Sequence, residues 1–564
     1  MKTYKKLILM LSLGLSLGSC LDFDPKDQLA DGNVWSDASN FKYFAGNFYS
    51  WTRDFSSALY DAPHCDLRSD LVVSNNVNEY SHGNNTLTAT DANYTDNYKR
   101  IRRVNLLLKN AASYAGSTPI NTYVGEAYFF RAYCYFDLVQ LFGDVIWLDH
   151  PVDIDAPEMN ASRDDRGVII DHIIEDLKLA TENLPEKAEE EGRLCKMAAQ
   201  AFLSRVALYE GTWQKSRNNN VNTERSKNLL DIAVKAAKNV IDSDDYELFA
   251  PVSLGTDAYR YLFILEDVQC CPDRSITKAS NKEYIFSRRH EEVLAPVGRN
   301  VTHTYGNNEA LCLTRKLADL YLCSDGLPID FSGKFQGYKK WDDEFINRDN
   351  RMNATILKPN DNTFYKAVRT WTDADKPTEV NAKKVTGYQS RKWAAERVVE
   401  TTKEGYDYPI IRYAEILLNY AEAVYERDDK ISDTDLDYSL NLVRLRANPT
   451  MPKLSNALVQ AHSGMNMQTE IRRERSVELI HEGFRIDDLK RWKTAEVEMP
   501  KNITGIRRAE GDEWVTMWDT SASLDQNNCL IYESGRTWES KNYLYPLPAD
   551  QRQLNPNIGQ NPGW

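Results

Sequence analysis

Apolar residues recur at three- and four-residue steps over 125–143, with Ala127, Phe130, Cys134, Leu138 and Leu141 on one face. This spacing predicts an α-helix that Gly143 ends. The same period predicts helices over 168–183, 194–211, 224–242, 409–427, 435–446 and 468–483. Three of them pair a small residue with an aromatic four positions on: Ala132 with Phe136, Ala198 with Phe202, Ala421 with Tyr425. A ring then packs over a small side chain. The first two pairs are 66 residues apart, close to two tetratricopeptide repeats of about 34 residues each. The fold class read from this pattern is mainly α, a tetratricopeptide-like helical scaffold. An aromatic-over-alanine helix core without repeats is the plainer alternative.

Two stretches break the period. Residues 250–402 scatter Asn, Asp, Gly, Pro and aromatics among short apolar runs, and 72–97 is similarly polar, with Tyr80, His82, Asn84, Asn85, Asn93 and Tyr94. Long irregular segments on a rigid scaffold carry function disproportionately. The expected organisation is a helical scaffold at about 36–249 and 403–564, and an irregular ligand-binding half at about 250–402 plus the loop 60–97. Where Glu474, Glu478 and Glu482 fall four apart on one predicted helix they form a like-charge stripe, which is unfavourable unless cations face it. Arg444, Arg446 and Arg485 are the expected partners, in a structural ion-pair network.

The N-terminus adds a location. Lys2, Lys5 and Lys6 precede an apolar run from Leu7 to Leu17, and Leu17-Gly18-Ser19-Cys20 has the form of a bacterial lipoprotein cleavage site. Residues 1–19 read as a signal peptide, Cys20 as the lipidated first residue, and 20–35 as the anchor linker. Removing 1–19 takes away three lysines and no acid, moving the formal charge from −14 to −17. An acidic chain lacks the basic stripe that a nucleic-acid partner needs. Arg100, Arg102 and Arg103 read as a solvated helix face. With 42% hydrophobic and 27% charged residues, the rest reads as globular. Cysteines at 65, 134, 195, 270, 271, 312, 323 and 529 show no zinc-like spacing, and Cys134 and Cys195 fall in apolar helical patterns where free thiols are expected. The vicinal Cys270-Cys271 reads as packing.

Chemistry is sparse. The sole G-x-S-x-G match lies in the leader, His481-Glu482 lacks the second histidine of a zinc protease, and no phosphate or calcium loop is present. No cofactor and no metal are expected. Glycoside hydrolysis needs only two well-placed carboxylates, and the chain has 83 acidic residues, so a surface glycoside hydrolase stays as the enzymatic alternative.

Several segments together resemble one family. Residues 125–144 (GEAYFFRAYCYFDLVQLFGD), 196–199 (KMAA), 409–423 (PIIRYAEILLNYAEA) and 440–447 (LNLVRLRA) are joined by 471–485 (IRRERSVELIHEGFR), 488–492 (DLKRW), 544–548 (LYPLP) and the ending QNPGW. In that order, behind a lipidation site, they are similar to SusD/RagB-type outer-membrane lipoproteins over essentially the whole mature chain. The resemblance implies a non-enzymatic, surface-exposed protein of a Bacteroidetes-type outer membrane. It would capture oligosaccharides, or in some members peptides, as the lid of a SusC-like TonB-dependent transporter. Asp22 and Asp24 resemble surface-export signals. The family's W-x-x-x-Y-x-x-I-x-x-x-N run matches Tyr94, Tyr98, Ile101 and Asn105 with tyrosine in the first place, which puts a starch-like site in doubt.

A glycan site needs a flat ring for apolar sugar faces and forked polar groups for hydroxyls. The ligand candidates chosen on that ground are Tyr305 with Asn307 and Asn308, Arg369 with Trp371, and Arg391 with Trp393, joined by Asp66, Asp70, Tyr80 and Tyr94.

Overall fold

The computed structural model describes residues 34–564 except 268–270, 274, 307–310, 341, 359–360, 364–368, 371–384, 398–401 and 509–522. Cys20, Asn307, Asn308 and Trp371 lie outside the described residues, as does Cys270 of the vicinal pair.

Helix α1 (Ala38–Gly46) precedes five long helices: α2 (Ala92–Ala112), α3 (Asn121–Phe142), α4 (Arg166–Asn183), α5 (Lys196–Arg217) and α6 (Glu224–Ile241). Each long helix packs on the next, and α6 packs on α7 (Tyr413–Asp428). The chain's cap residues start them where the sequence asks. Asp91, Asp165 and Thr223 each accept a backbone N–H of the first turn, and Thr223 with Ser226 completes a capping box. Gly143 ends α3 at φ +77°, a region costly for any side chain. Helix α3 is buried on nearly every face because α2 and α4 flank it. Two of the alanine–aromatic pairs fall in the helix core: Phe136 and Phe202 meet edge-to-face at 5.7 Å, and Ala132 and Ala198 are fully buried.

Buried arginines stitch these helices. Arg131 on α3 grips Asp176 on α4 at 2.6 Å, Arg166 on α4 grips Glu210 on α5 at 2.8 Å, and Arg205 on α5 grips Glu415 on α7 at 2.6 Å. Paired this way, the charges keep hydrogen-bonding partners that burial would otherwise deny them.

Three predicted helices differ in the structure. The segment 409–427 opens as strand β5 (Tyr408–Arg412) before α7, since a paired edge was waiting in β2 (Tyr284–Arg288), with Arg288 opposite Tyr408. The segment 435–446 breaks at Ser439 into a six-residue helix (Asp433–Tyr438) and α8 (Leu440–Ala447), and 468–483 becomes α9 (Met467–Glu478), which stops five residues early. There the chain turns through His481 at φ +65° and Gly483 at φ +76° into α10 (Arg485–Arg491). A Cβ on Gly483 would lie 2.8 Å from the His64 carbonyl oxygen, so this close approach needs glycine.

The loop-rich part carries only short elements among its described residues, the helices reaching six residues, as at Arg315–Leu320 and Asn350–Thr355. Strand β3 (Cys312–Leu313) joins β1 (Val72–Val73) to β4 (Tyr388–Gln389), and β6 (Ile503–Arg507) pairs with β7 (Cys529–Glu533). The polar stretch 72–97 is more ordered than its composition suggests, holding β1, a turn of helix at Glu79–His82 and the start of α2.

The glutamate stripe is buried and met by cations. Glu474 faces Arg351 (2.6 Å) and Arg444 (3.1 Å). Glu478 faces Arg412 (2.7 Å), Arg351 (3.0 Å) and Arg446, and Glu482 faces Arg412 and Lys392, each at 2.7 Å. Arg444 and Arg446 are therefore the partners the sequence named. Arg485 is not: it pairs with Asp70. Arg351 and Lys392 come from the loop-rich part, so the network bolts that part to α8 and α9.

Cys65, Cys134, Cys195, Cys271, Cys312, Cys323 and Cys529 are free and buried. Burial pushes the Cys134 thiol up to about 12, which leaves it inert. Among the described residues no helix is long and apolar enough to cross a membrane, and no cluster of His, Cys, Asp or Glu could hold a metal ion.

Candidate functional site

A cavity of about 340 Å³ opens where the N-terminal segment folds across α2 and α3. One wall is the turn of 3₁₀ helix at Asn47–Trp51 and the residues after it, Thr52 to Ser57. The others are Asn93, Asn97 and Arg100 of α2, Tyr133 and Asp137 of α3, and Arg288, Tyr408 and His481. Helix periodicity explains the α2 set: Asn93, Asn97 and Arg100 lie one and two turns apart on one face.

Trp51 is the tryptophan on this cavity's wall. It is half-buried, packed against Phe48 at 4.7 Å, and the Arg100 guanidinium sits 5.9 Å from its centre. Forked polar groups surround it. Arg288 donates to the Ser50 carbonyl at 3.2 Å and lies 3.7 Å from Asp54, while Arg53 lies 3.9 Å from Asp137. Asp137 also accepts from Asn97 at 2.8 Å and meets His64 Nε2 at 2.8 Å; the other His64 nitrogen meets Asp487 at 2.7 Å. Burial works to raise Asp137, but His64, Arg53 and Asn97 overcome it and hold the carboxyl down at about 2.

Asp66, also on the wall, is the opposite case. Its Oδ1 accepts the Arg485 N–H at 3.3 Å, while buried Oδ2 has no hydrogen-bond partner. Burial pushes this carboxyl up to about 7, against the pull of nearby backbone N–H groups and Lys392. A carboxyl raised in the folded state costs stability once pH exceeds its unfolded value, and the full cost is present above about 7. Asp66→Asn should therefore raise the melting temperature more at pH 8 than at pH 5, by about 1–3 kcal/mol of differential stability. Paired thermal melts at the two pH values check it; an equal effect at both would mean that Asp66 titrates normally.

The structure places the other sequence candidates as follows. Trp393 is completely buried, edge-on to Phe55 at 5.0 Å and Phe263 at 5.1 Å. Tyr94 packs on Phe142 at 5.1 Å, and Tyr80 is sealed among Tyr545, Trp538 and Arg68. These three rings are core, because each fills a gap between elements that sequence cannot see meeting; none has an open face for a sugar. Asp70 is a strut, pairing with Arg485 at 2.8 Å and Lys316 at 2.5 Å, and those cations hold its carboxyl far below the usual range despite burial. Arg391 spans Asp361 and Glu396, each at 2.9 Å. Tyr305 lies on the helix Val301–Gly306 and Arg369 on a two-residue strand paired with Asn362–Thr363. Their side chains lie outside the described set. Of the candidates with described side chains, only Asp66 reaches the cavity.

Trp51, Arg53, Arg100 and Arg288 are the residues sequence reasoning missed. A signal existed: Ser50-Trp51-Thr52-Arg53-Asp54 sets a tryptophan among polar neighbours, the composition of a ring with one wet face. Arg100, read as solvated, instead leans on Trp51. Arg102 and Arg103 are exposed as expected.

Known proteins sharpen this picture. A family model described as "SusD family" matches residues 275–564, and one described as "Starch-binding associating with outer membrane" matches 40–208. SusD-like protein P2 of Formosa agariphila is 23% identical over 589 aligned positions covering 100% of both chains. Among solved structures, a SusD-like carbohydrate-binding protein from Bacteroides fragilis superposes with a TM-score of 0.73 at 22% identity, covering 93% of this chain and 100% of its own. A surface glycan-binding protein A from Bacteroides fluxus gives 0.60 at 18% identity, covering 94% and 100%. The mainly helical scaffold with its loop-rich insertion is thus a known fold, and with a family model spanning more than half its length the chain belongs to the SusD/RagB family.

Proposed function

We propose that this protein is a cell-surface glycan-binding lipoprotein, anchored in the outer membrane through lipidated Cys20. It captures oligosaccharides without cleaving them and delivers them, as a lid, to a SusC-like TonB-dependent transporter. The observation that carries the reading is the Trp51 cavity. A half-buried ring can take an apolar sugar face, while Arg53, Arg100, Arg288 and Asn93 offer donors and acceptors to hydroxyls around it. The carbohydrate-binding relatives support the ligand class, and the leader with Cys20 supports the anchor. Tyr305, Asn307, Arg369 and Trp371 remain proposed ligand contacts from the loop-rich half.

One observation favours a second reading. Asp66 and Asp137 line the same cavity, and glycoside hydrolysis needs only two placed carboxyls, so the hydrolase alternative is tested beside the lid. A single experiment separates the two. The soluble protein begun at residue 21 is run through native gels containing a panel of polysaccharides, while the same mixtures are assayed for new reducing ends. The binding-lid reading expects retardation by at least one polysaccharide and no new ends. New ends that vanish in Asp137→Asn would establish the hydrolase, and no retardation by any polysaccharide would turn the ligand class to peptides.

A further inference from the structure

The Trp51 cavity does not stop at its own rim. Ser50, Thr52 and Arg288 form part of its wall and also line a second hollow of about 390 Å³. That hollow in turn shares Glu191, Gly192, Phe286 and Arg289 with a third, of about 530 Å³. The three hollows adjoin in series as a track: the first two meet at Ser50, Thr52 and Arg288, where Arg288 donates to the Ser50 and Thr52 carbonyls, and the second and third meet along Phe286 to Arg289, past the end of β2.

The track has a repeating chemistry. At the near end is Trp51 with Arg100; at the far end are half-buried Tyr246 and Tyr284, with exposed Asp245 and largely exposed Lys282 beside them. Between them Arg289 forms a saddle, paired with Glu191 at 2.7 Å yet 42% exposed in its side chain. The saddle is held low by the loop beneath it. Gly192 has φ +84°, and a Cβ there would lie 3.0 Å from the Arg289 Cδ. Rings at both ends and an exposed fork between them suit a polymer that presents apolar faces and hydroxyls at intervals. A mono- or disaccharide would leave most of the track empty.

We propose that the ligand is an extended oligosaccharide lying across all three hollows, seated at Trp51, crossing the Arg289–Glu191 saddle and ending against Tyr246. This rests on the glycan reading of the Trp51 cavity and adds a second contact region to it. Two contact regions joined by one chain bind with the avidity of linked sites.

The test uses the polysaccharide that retards the protein, cut into a size-graded series from the disaccharide upward, with affinity measured by calorimetry for wild type, Arg289→Ala and Trp51→Ala. The expected result is affinity that rises with length by about a hundredfold before levelling. Arg289→Ala should erase most of that rise while leaving the shortest binding oligomers unchanged; Trp51→Ala should weaken every length. Far-UV circular dichroism confirms that Arg289→Ala is folded, as its partner Glu191 is largely exposed and an exposed pair contributes little to stability. Affinity that does not depend on length, or a length gain that survives Arg289→Ala, overturns the extended track and leaves the Trp51 site standing. Absence of binding at any length removes the glycan reading and the track together.

Discussion

Replacing Glu478 with glutamine should destabilise the protein by about 3–5 kcal/mol, the usual cost of removing one partner from a buried charge cluster. Glu478 is fully buried and faces Arg351, Arg412 and Arg446 at once. The amide keeps one acceptor and loses the charge, leaving three guanidiniums that share Glu283, Asp349, Glu474 and Glu482. Urea and thermal melts at neutral pH measure the loss. The sign with pH is fixed. Burial works to raise this carboxyl, the three arginines overcome it, and its folded pKa lies far below the ordinary carboxylate value. Its contribution is then fully present above the unfolded pKa, near 4, and is lost progressively as pH falls from there through the folded value. Because Arg351 enters from the loop-rich part, the variant should also loosen that part, seen as faster amide exchange near Asn350–Thr355. Unchanged stability accompanied by lost ligand binding would mean that Glu478 serves the ligand and not the fold.

Trp51→Ala carries the largest expected effect on function. A central aromatic anchor typically contributes about 2 kcal/mol or more to binding, so affinity for the retarding glycan should fall roughly 30-fold. Removing the guanidinium that leans on the ring, in Arg100→Ala, should cost less, about twofold to fivefold, since a half-exposed cation–π contact contributes about 0.5–1 kcal/mol. The ring also packs on Phe48 and Phe130, so a melt accompanies each titration. Retained affinity in a folded Trp51→Ala protein would remove this cavity as the glycan platform. Trp371→Ala would then be the next variant to titrate.

Some of this was legible in the chain and some was not, for physical reasons visible at particular residues. The helices α3 to α6 could be read because their apolar period is strong and their caps local: Asp165, Thr223 and Gly143 act within a turn of themselves. The strand at 408–412 could not, since its apolar run suits a buried strand or helix equally, and only pairing with Tyr284–Arg288 decides. The glutamate stripe announced that cations must face it. That two of them would be Arg351 and Lys392, over eighty residues away, was beyond any local pattern. The candidate rings failed for a related reason. Trp393, Tyr94 and Tyr80 look from sequence like rings among polar residues, and tertiary contacts bury them; Trp51 looks the same and is left half open.

The sequence by itself therefore determined the helical scaffold and the family, because these depend on short-range spacing and on the order of motifs. The tertiary structure alone decided which tryptophan faces a cavity, which carboxylates are struts and which hollows join. Those depend on where segments hundreds of residues apart come to rest. Arg485 reaching Asp70, and Arg288 reaching the Thr52 carbonyl, are contacts that only the folded chain makes.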